Sequence, residues 1–279
     1  MHPLVILICL PLFLFACHAT PAEEEHSATP NSAQANSSST QIEQDPPEEA
    51  EVKPPHHRQF LVSLTSDWDE VNGTLYLFTW ENGQWVQSLS PIPMVVGKKG
   101  MAWGIGLDNY TRLDGPKKRE GDKKSPAGVF RLGTAFGYAQ PSQASFIKAE
   151  YTHVLPSTMC IEDASSAHYN QIVDEGSSSP DWNSTDHMLR KDDLYEWGMF
   201  VLHNQPDPVA SGGSCIFLHV WRKNDSGTAG CTAMDKGKLK ALLGKIDPSL
   251  NPLMVQVPVF AYEQFQHQYK LPSVGSMEE

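Results

Sequence analysis

The sequence predicts a mainly β fold, on three observations. From Phe60 onward, short apolar runs recur between turn residues, a pattern that suits half-buried strands. The 279 residues include 21 prolines and 20 glycines, which favour frequent turns over long helices. Helical spacing of apolar residues is scarce. It is clear only over 233–246, where Leu239, Leu242, Leu243 and Ile246 fall at i, i+3, i+4 and i+7 with lysines on the other face. The expectation is one mainly β domain over residues 59–262 with a few helices.

In chain order, the first strand is predicted at 60–65 (FLVSLT). Residues 74–80 (TLYLFTW) and 85–89 (WVQSL) flank Asn82-Gly83, a pair that supplies the positive φ angles of a tight turn, so they predict a β-hairpin. Further strands are predicted at 94–97 (MVVG), 129–133 (VFRLG), 199–204 (MFVLHN), 215–221 (CIFLHVW) and 253–260 (LMVQVPVF). A second helix is predicted over 184–197, where Met188, Leu189 and Leu194 follow a start rich in Ser and Asp. Residues 263–279 read as a C-terminal tail. The glycines in 103–106 (WGIG) lack the strand–loop–helix setting of a dinucleotide site.

The N-terminal part has a different character. Residues 3–15 (PLVILICLPLFLF) form an uncharged apolar run that is too short to span a bilayer but suits a secretory signal. Leu14-Phe15-Ala16-Cys17 resembles the bacterial lipobox, which implies a signal peptide over 1–16, cleavage before Cys17 and lipid attachment to its sulfur. The expected location is the periplasmic side of the cell envelope, held at a membrane through Cys17. His18 in place of an aspartate leans toward the outer membrane. Residues 18–58 carry almost no apolar side chains and are expected to be a disordered acidic linker, with His56-His57 solvated. As a flexible coil that segment reaches roughly 35 Å root-mean-square.

Charge divides along the same lines. The chain holds 33 Asp+Glu and 21 Lys+Arg, a formal net charge of -12. Eight acids (Glu23, Glu24, Glu25, Glu43, Asp45, Glu48, Glu49, Glu51) against Lys53 and Arg58 place half of that excess in the linker. Such a balance argues against nucleic-acid binding. In the folded part, the basic cluster Lys117, Lys118, Arg119, Lys123 and Lys124 reads as a solvated loop partnered by Glu120 and Asp122, or as a contact for substrate or lipid carboxylates.

With Cys9 removed in the signal and Cys17 lipidated, Cys160, Cys215 and Cys231 remain. An odd count in an exported protein suggests one disulfide and one thiol kept for chemistry. Cys231 stands directly before the clearest helix. Thr232 with Asp235 three positions on reads as a variant capping box, which would start that helix just after the cysteine and set its N–H groups and dipole near the sulfur. Upstream, alternation puts Ile216, Leu218 and Val220 on one face of a strand, and Phe217, His219 and Trp221 on the other. The polar connection 222–230 is long enough to turn back and bring thiol and imidazole together. Taken alone, both residues fit structural roles equally well.

The segment 213–234 (GSCIFLHVWRKNDSGTAGCTAM) resembles the catalytic core of the L,D-transpeptidases of the YkuD/ErfK type, in which a strand histidine precedes a Gly-Cys nucleophile by about a dozen residues. Residues 96–104 (VGKKGMAWG), the run starting KREGDKKSPAGVFRLG at Lys118, residues 167–170 (AHYN) and the stretch 181–204 are similar to one branch of that family. The resemblance implies a β-sandwich or barrel-like catalytic domain, with Cys231 as nucleophile, His219 as general base and acid, and the Gly230 backbone orienting the site or its oxyanion. Substrate contacts are expected from His203, Asn204, Ser214, Phe217, Trp221 and Thr228, and a disulfide from Cys160 and Cys215. The implied reaction is acyl transfer from peptidoglycan stem peptides to an amine acceptor, which is a second stem or an envelope protein. No cofactor and no metal is implied.

The chain departs from the commoner Ser-His-Gly-Cys signature at Thr228 and Ala229, and again at Ala233, where that signature has Arg or Asn. Alternatives are therefore an L,D-carboxypeptidase or amidase with water as acceptor, a non-catalytic peptidoglycan-binding lipoprotein, and a metal site built from His203, His219 and Cys231.

Overall fold

The computed structural model describes residues 54–176 and 179–274. The strands, in order, are β1 (Gln59–Thr65), β2 (Asn72–Glu81), β3 (Gln84–Gln87), β4 (Ile92–Val95), β5 (Met101–Trp103), β6 (Ser125–Gly137), β7 (Tyr151–His153), β8 (Thr158–Ile161), β9 (Ile172–Asp174), β10 (Thr185–His187), β11 (Trp197–Val201), β12 (Phe217–Val220) and β13 (Thr232–Met234). Helix α1 (Lys236–Lys245) follows, then β14 (Leu253–Pro258) and helix α2 (Tyr262–Tyr269). Each strand candidate from the sequence corresponds to one of these, shifted by a few residues at its ends.

Hydrogen-bonded neighbours run from β1 through β14, β6, β11, β12, β13, β4 and β2, and β2 pairs again with β1. The sheet therefore closes on itself as a barrel, which removes the free edges a sheet would otherwise expose. The expected hairpin is β2–β3, with Asn82 at φ 50° and Gly83 at φ 82° between Glu81 and Gln84. The core is mostly apolar, apart from buried Ser63 and Thr232, whose hydroxyls both donate to Gln256 Oε1. Phe60, Leu61, Leu64, Leu75, Leu77, Phe130 and Leu218 are among the side chains removed from water, each contributing about 1.5–3 kcal/mol on burial. Leu239, Leu242 and Leu243 of α1 join that core, as their spacing predicts.

A smaller sheet of β10, β8 and β9 lies beside the barrel. Cys160 of β8 is joined to Cys215, just before β12, by a disulfide with Cα atoms 6.0 Å apart and a sequence separation of 55. That bond ties the small sheet to the strand carrying His219.

Three expectations are corrected. Residues 184–197 do not form a helix: β10 pairs with β8 in register Asp186↔Cys160, and a short 3-10 turn spans Asp193–Tyr195. Met188, Leu189 and Leu194 fall at i, i+1 and i+6, so no helix face would have gathered them; Met188 is buried while Leu189 is exposed. Helix α1 does not begin after Cys231. Thr232–Met234 pair with Leu218–Val220 and with β4, and the cap is Asp235, whose carboxylate accepts from the amides of Gly237 and Lys238 at 2.8 and 3.1 Å. The region beyond 262 is not all tail, because α2 buries Tyr262 and Phe265, and Leu271 follows them into the main core.

Order also begins before residue 59. The Arg58 amide donates to Leu250 O at 2.8 Å, its guanidinium donates to Ser249 O at 3.0 Å, and His57 Nδ1 meets Asn251 O at 2.9 Å. The signal peptide, Cys17 and the linker through residue 53 lie outside the described residues.

Candidate active site

The site grows from the alternation of one short strand. Ile216, Leu218 and Val220 point into the main core. Phe217 belongs instead to a second buried cluster with Phe136, Tyr195, Phe200, Cys215 and Cys231. His219 follows on that same face, edge-on to the Tyr195 ring at 5.4 Å between centroids. Strand β13 lies parallel to β12 in register Leu218↔Thr232, which sets Cys231 beside Phe217. The Phe217 amide donates to Cys231 Sγ at 3.3 Å, and the sulfur lies 3.6 Å from Cys215 O.

The loop before Cys231 is fixed from several sides. The Thr228 amide donates to Val96 O and the Lys98 amide to Thr228 O, both at 2.9 Å. A Cβ at Gly227 would stand 2.6 Å from Lys98 Cα, so only glycine allows that approach. The Gly230 amide donates to Thr228 Oγ1 at 3.0 Å. Two hydroxyls donate to the carbonyl of Cys231 itself, Thr228 Oγ1 at 2.6 Å and Ser125 Oγ at 2.8 Å. The Thr232 hydroxyl reaches Gln256 Oε1 at 2.6 Å, and Gln256, buried on β14, donates in turn to Pro126 O at 2.7 Å. Among the described residues the Cys231 amide donates to no protein acceptor. It is thus an unspent donor at the thiol-bearing residue.

Cys231 and His219 line one cleft of about 210 Å³ together with Tyr195, Trp221, Thr228, Arg190 and Arg222. His219 Nδ1 stands 2.8 Å from Val220 O. A carbonyl can only accept, so Nδ1 carries the proton and Nε2 keeps its lone pair. Burial lowers the His219 pKa to about 4, against the carbonyl's opposing pull. Burial likewise pushes the Cys231 thiol up to about 12, with the Phe217 amide working the other way and Asp186 adding to the rise. At neutral pH the pair is a neutral thiol beside a neutral imidazole. The expected thiolate stabilisation by a helix N-terminus is absent because α1 starts five residues further on, at Lys236.

Around the pair stands a charged frame. The Tyr195 hydroxyl donates to Asp186 Oδ2 at 2.5 Å, and burial holds the Asp186 carboxyl above the usual range. The Arg190 guanidinium lies over the Tyr195 ring, 5.1 Å from its centroid, and grips Asp192 through Nε at 2.7 Å and NH2 at 3.1 Å. Arg222 reaches the same Asp192 at 3.0 Å. Sequence reasoning missed Asp186, Arg190, Asp192, Tyr195 and Arg222. The signal was a run of mixed charges at 186–193 (DHMLRKDD), which the helical reading of 184–197 absorbed.

Of the other expected contacts, Trp221 and Thr228 line the cleft and the rest do not. Phe217 is fully buried and offers its amide, not its ring. Ser214 donates to Glu120 Oε2 at 2.7 Å, beside the Tyr169 hydroxyl on the same oxygen at 2.9 Å. His203 is fully buried; its Nδ1 accepts from the Ile105 amide at 3.3 Å and its Nε2 donates to Gly212 O at 3.0 Å. The Asn204 side chain closes the turn to Val209 and Gly213. His203 and Asn204 therefore hold a loop together and neither touches His219. Among the described residues no group of three or more His, Cys, Asp or Glu side chains is placed to hold a metal ion, so the His203, His219 and Cys231 trio does not assemble. In the basic cluster, Lys118 is buried against Asp122 at 2.7 Å, and Lys124 pairs with Asp69 at 2.8 Å.

The family model of the YkuD L,D-transpeptidase catalytic domain matches residues 66–259. No curated protein and no solved structure gives a match.

Proposed function

The chain belongs to the YkuD family of L,D-transpeptidase catalytic domains, and from that premise we propose that it is a cysteine acyltransferase acting on peptidoglycan stem peptides, with Cys231 as nucleophile and His219 as its base. The observation that carries this reading is the shared cleft: a thiol and an imidazole locked in the tautomer that leaves Nε2 free. With both groups neutral at rest, attack and proton transfer run together. Cys231 Sγ bonds to the carbonyl carbon before the terminal D-alanine while Nε2 takes the thiol proton.

The carbonyl oxygen becomes an oxyanion, and the unspent Cys231 amide is the donor that suits it. Collapse breaks the C–N bond, and His219 returns its proton to the departing D-alanine amine. A side-chain amine on a second stem then attacks the thioester and gives its proton through His219 to the leaving sulfur. Gly230 contributes by fixing the loop, since its amide is already engaged by Thr228. Anchoring through a lipid on Cys17, on the periplasmic face of the outer membrane, would hold this chemistry at the cell wall.

The test is incubation with a purified stem tetrapeptide. The expected result is D-alanine release together with a protein mass increase equal to the remaining acyl tripeptide on Cys231. New dimers would identify an amine acceptor, and free tripeptide would identify water. Wild-type protein that neither releases D-alanine nor gains mass would overturn the reading.

A further inference from the structure

Two arginines line the cleft, and they are not equivalent. The Arg190 guanidinium is spent: it holds both oxygens of Asp192, lies 3.7 Å from Asp186 Oδ1, and stacks over Tyr195. Arg222 uses one nitrogen only, NH2 on Asp192 Oδ2 at 3.0 Å. Among the described residues its Nε and NH1 meet no acceptor, and the side chain is 59% exposed. The Asp192 carboxyl is held below its usual range, first by its hydrogen bonds to Arg190, so it stays ionised and keeps both guanidinium groups in place.

The walls of the cleft carry these two guanidinium groups and no carboxylate. That reverses the sign of the chain as a whole, whose formal net charge is -12. Arg190 is matched by Asp192 and faces Asp186, so the cationic edge left over at the opening is that of Arg222, and the neutral thiol and imidazole add no charge. Asp192 takes one N–H of NH2, so the second N–H of that nitrogen together with a neighbouring free nitrogen still forms one two-donor guanidinium edge, which matches a carboxylate in shape and charge as an ammonium would not.

We infer that Arg222 is the specificity-determining residue of this cleft, taking the free carboxylate of the acyl donor on its unused guanidinium edge, while Arg190 and Asp192 brace it. The occupant is then a peptide that ends close to the bond under attack, not an internal stretch of a longer chain. That the occupant is a peptide rests on the acyl-transfer reading; the selection for an anion does not.

The test separates the two. Cys231 in the full chain is alkylated with iodoacetate and with iodoacetamide, reagents of similar size that differ in charge, and the rates at Cys231 are read by peptide mass. The ratio of iodoacetate to iodoacetamide rates is expected to fall about tenfold in Arg222→Ala, to fall less in Arg222→Lys, and to shrink in wild type as salt is raised. A ratio that is the same in wild type and Arg222→Ala overturns the inference.

A second arm compares stem peptides ending in a carboxylate with the same peptides ending in a carboxamide. Wild type is expected to prefer the carboxylate in kcat/KM by tenfold or more, and Arg222→Ala to lose the preference. Equal turnover of both peptides by wild type sinks the inference and leaves the acyl-transfer reading standing. A clear iodoacetate preference with no turnover of either peptide supports the anion site and sinks acyl transfer instead.

Discussion

The two faces of β12 show how one short strand serves two demands. Leu218 and Val220 enter a large apolar core in which nearly every neighbour is aliphatic or aromatic. Phe217 and His219, one residue out of phase, enter a smaller cluster that also holds a disulfide, a free thiol and a tyrosine bonded to a half-buried aspartate. Water is excluded from the first region and meets the second only at the floor of the cleft. On the first face exclusion of water is itself the stabilising event; on the second it holds Cys231 and His219 uncharged, which costs stability only below about pH 6.5, where a free imidazole would take up a proton, and above about pH 8.5, where a free thiol would lose one. On the proposed acyl-transfer reading, burial around the thiol withholds charge until a substrate carbonyl is there to receive it.

If the faces are this distinct, substitutions on them should separate activity from stability. Cys231→Ala is expected to lower turnover by about a thousandfold or more, with the denaturant midpoint almost unmoved; residual turnover close to wild type would break the comparison at once. The sharper pair is adjacent in sequence. His219→Ala should lose about 10²–10⁴-fold in kcat, whereas Leu218→Ala should lose about 2–5 kcal/mol of stability and keep near-normal turnover in the fraction that folds. Urea titration and steady-state kinetics on the two proteins decide it, and matching losses in both measurements would erase the distinction between faces.

A smaller effect is expected from the disulfide. Replacing Cys160 and Cys215 together by serine should cost about 2–4 kcal/mol, given the sequence separation of 55 that the bond spans, without removing the thiol chemistry. Thermal melts with and without reductant report it, and a melt indifferent to reductant would argue that the small sheet is held by packing alone.

The gentlest prediction concerns pH. Catalysis needs the imidazole unprotonated, so kcat/KM should fall as pH drops through about 4, where His219 takes up a proton. It should show no step near the ordinary cysteine value, because the thiol does not ionise until about pH 12. A plateau whose acid limb lies near 6 would instead indicate a preformed thiolate–imidazolium pair.

Much of the barrel was legible because its strands are read by local rules. Alternation placed β1, β2, β12 and β14, and Asn82-Gly83 announced its own turn. The two faces of β12 were legible for the same reason, and with them the placing of His219 on the side of the cleft that Cys231 also lines. What escaped depends on contacts between segments far apart in sequence. Residues 184–197 look helix-tolerant in isolation and become a strand and a turn because β8 offers an edge, 24 or more residues earlier, that pairs with Asp186. Thr232 looks like a cap in isolation and becomes a strand residue because β12 and β4 claim it and its neighbours. His203 and Asn204 drew attention as polar residues at a strand end, yet their partners, Ile105, Val209 and Gly213, are backbone groups that no side-chain pattern reveals. The charged frame of Asp186, Arg190, Asp192 and Arg222 joins two loops whose proximity follows only from the β11–β12 pairing.

Gln256 gives the architecture a temporal meaning. Its side chain joins the Thr232 hydroxyl, one residue past the thiol, to Pro126 O, one residue past the serine that holds the Cys231 carbonyl, and it does so from β14, the last strand of the barrel to leave the ribosome. A nascent chain that already carries both His219 and Cys231 still lacks the crosspiece that sets their surroundings. The strand that closes the barrel beside β1 is therefore also the one that braces the surroundings of the thiol, so closure of the barrel and completion of that hydrogen-bonded frame are one event.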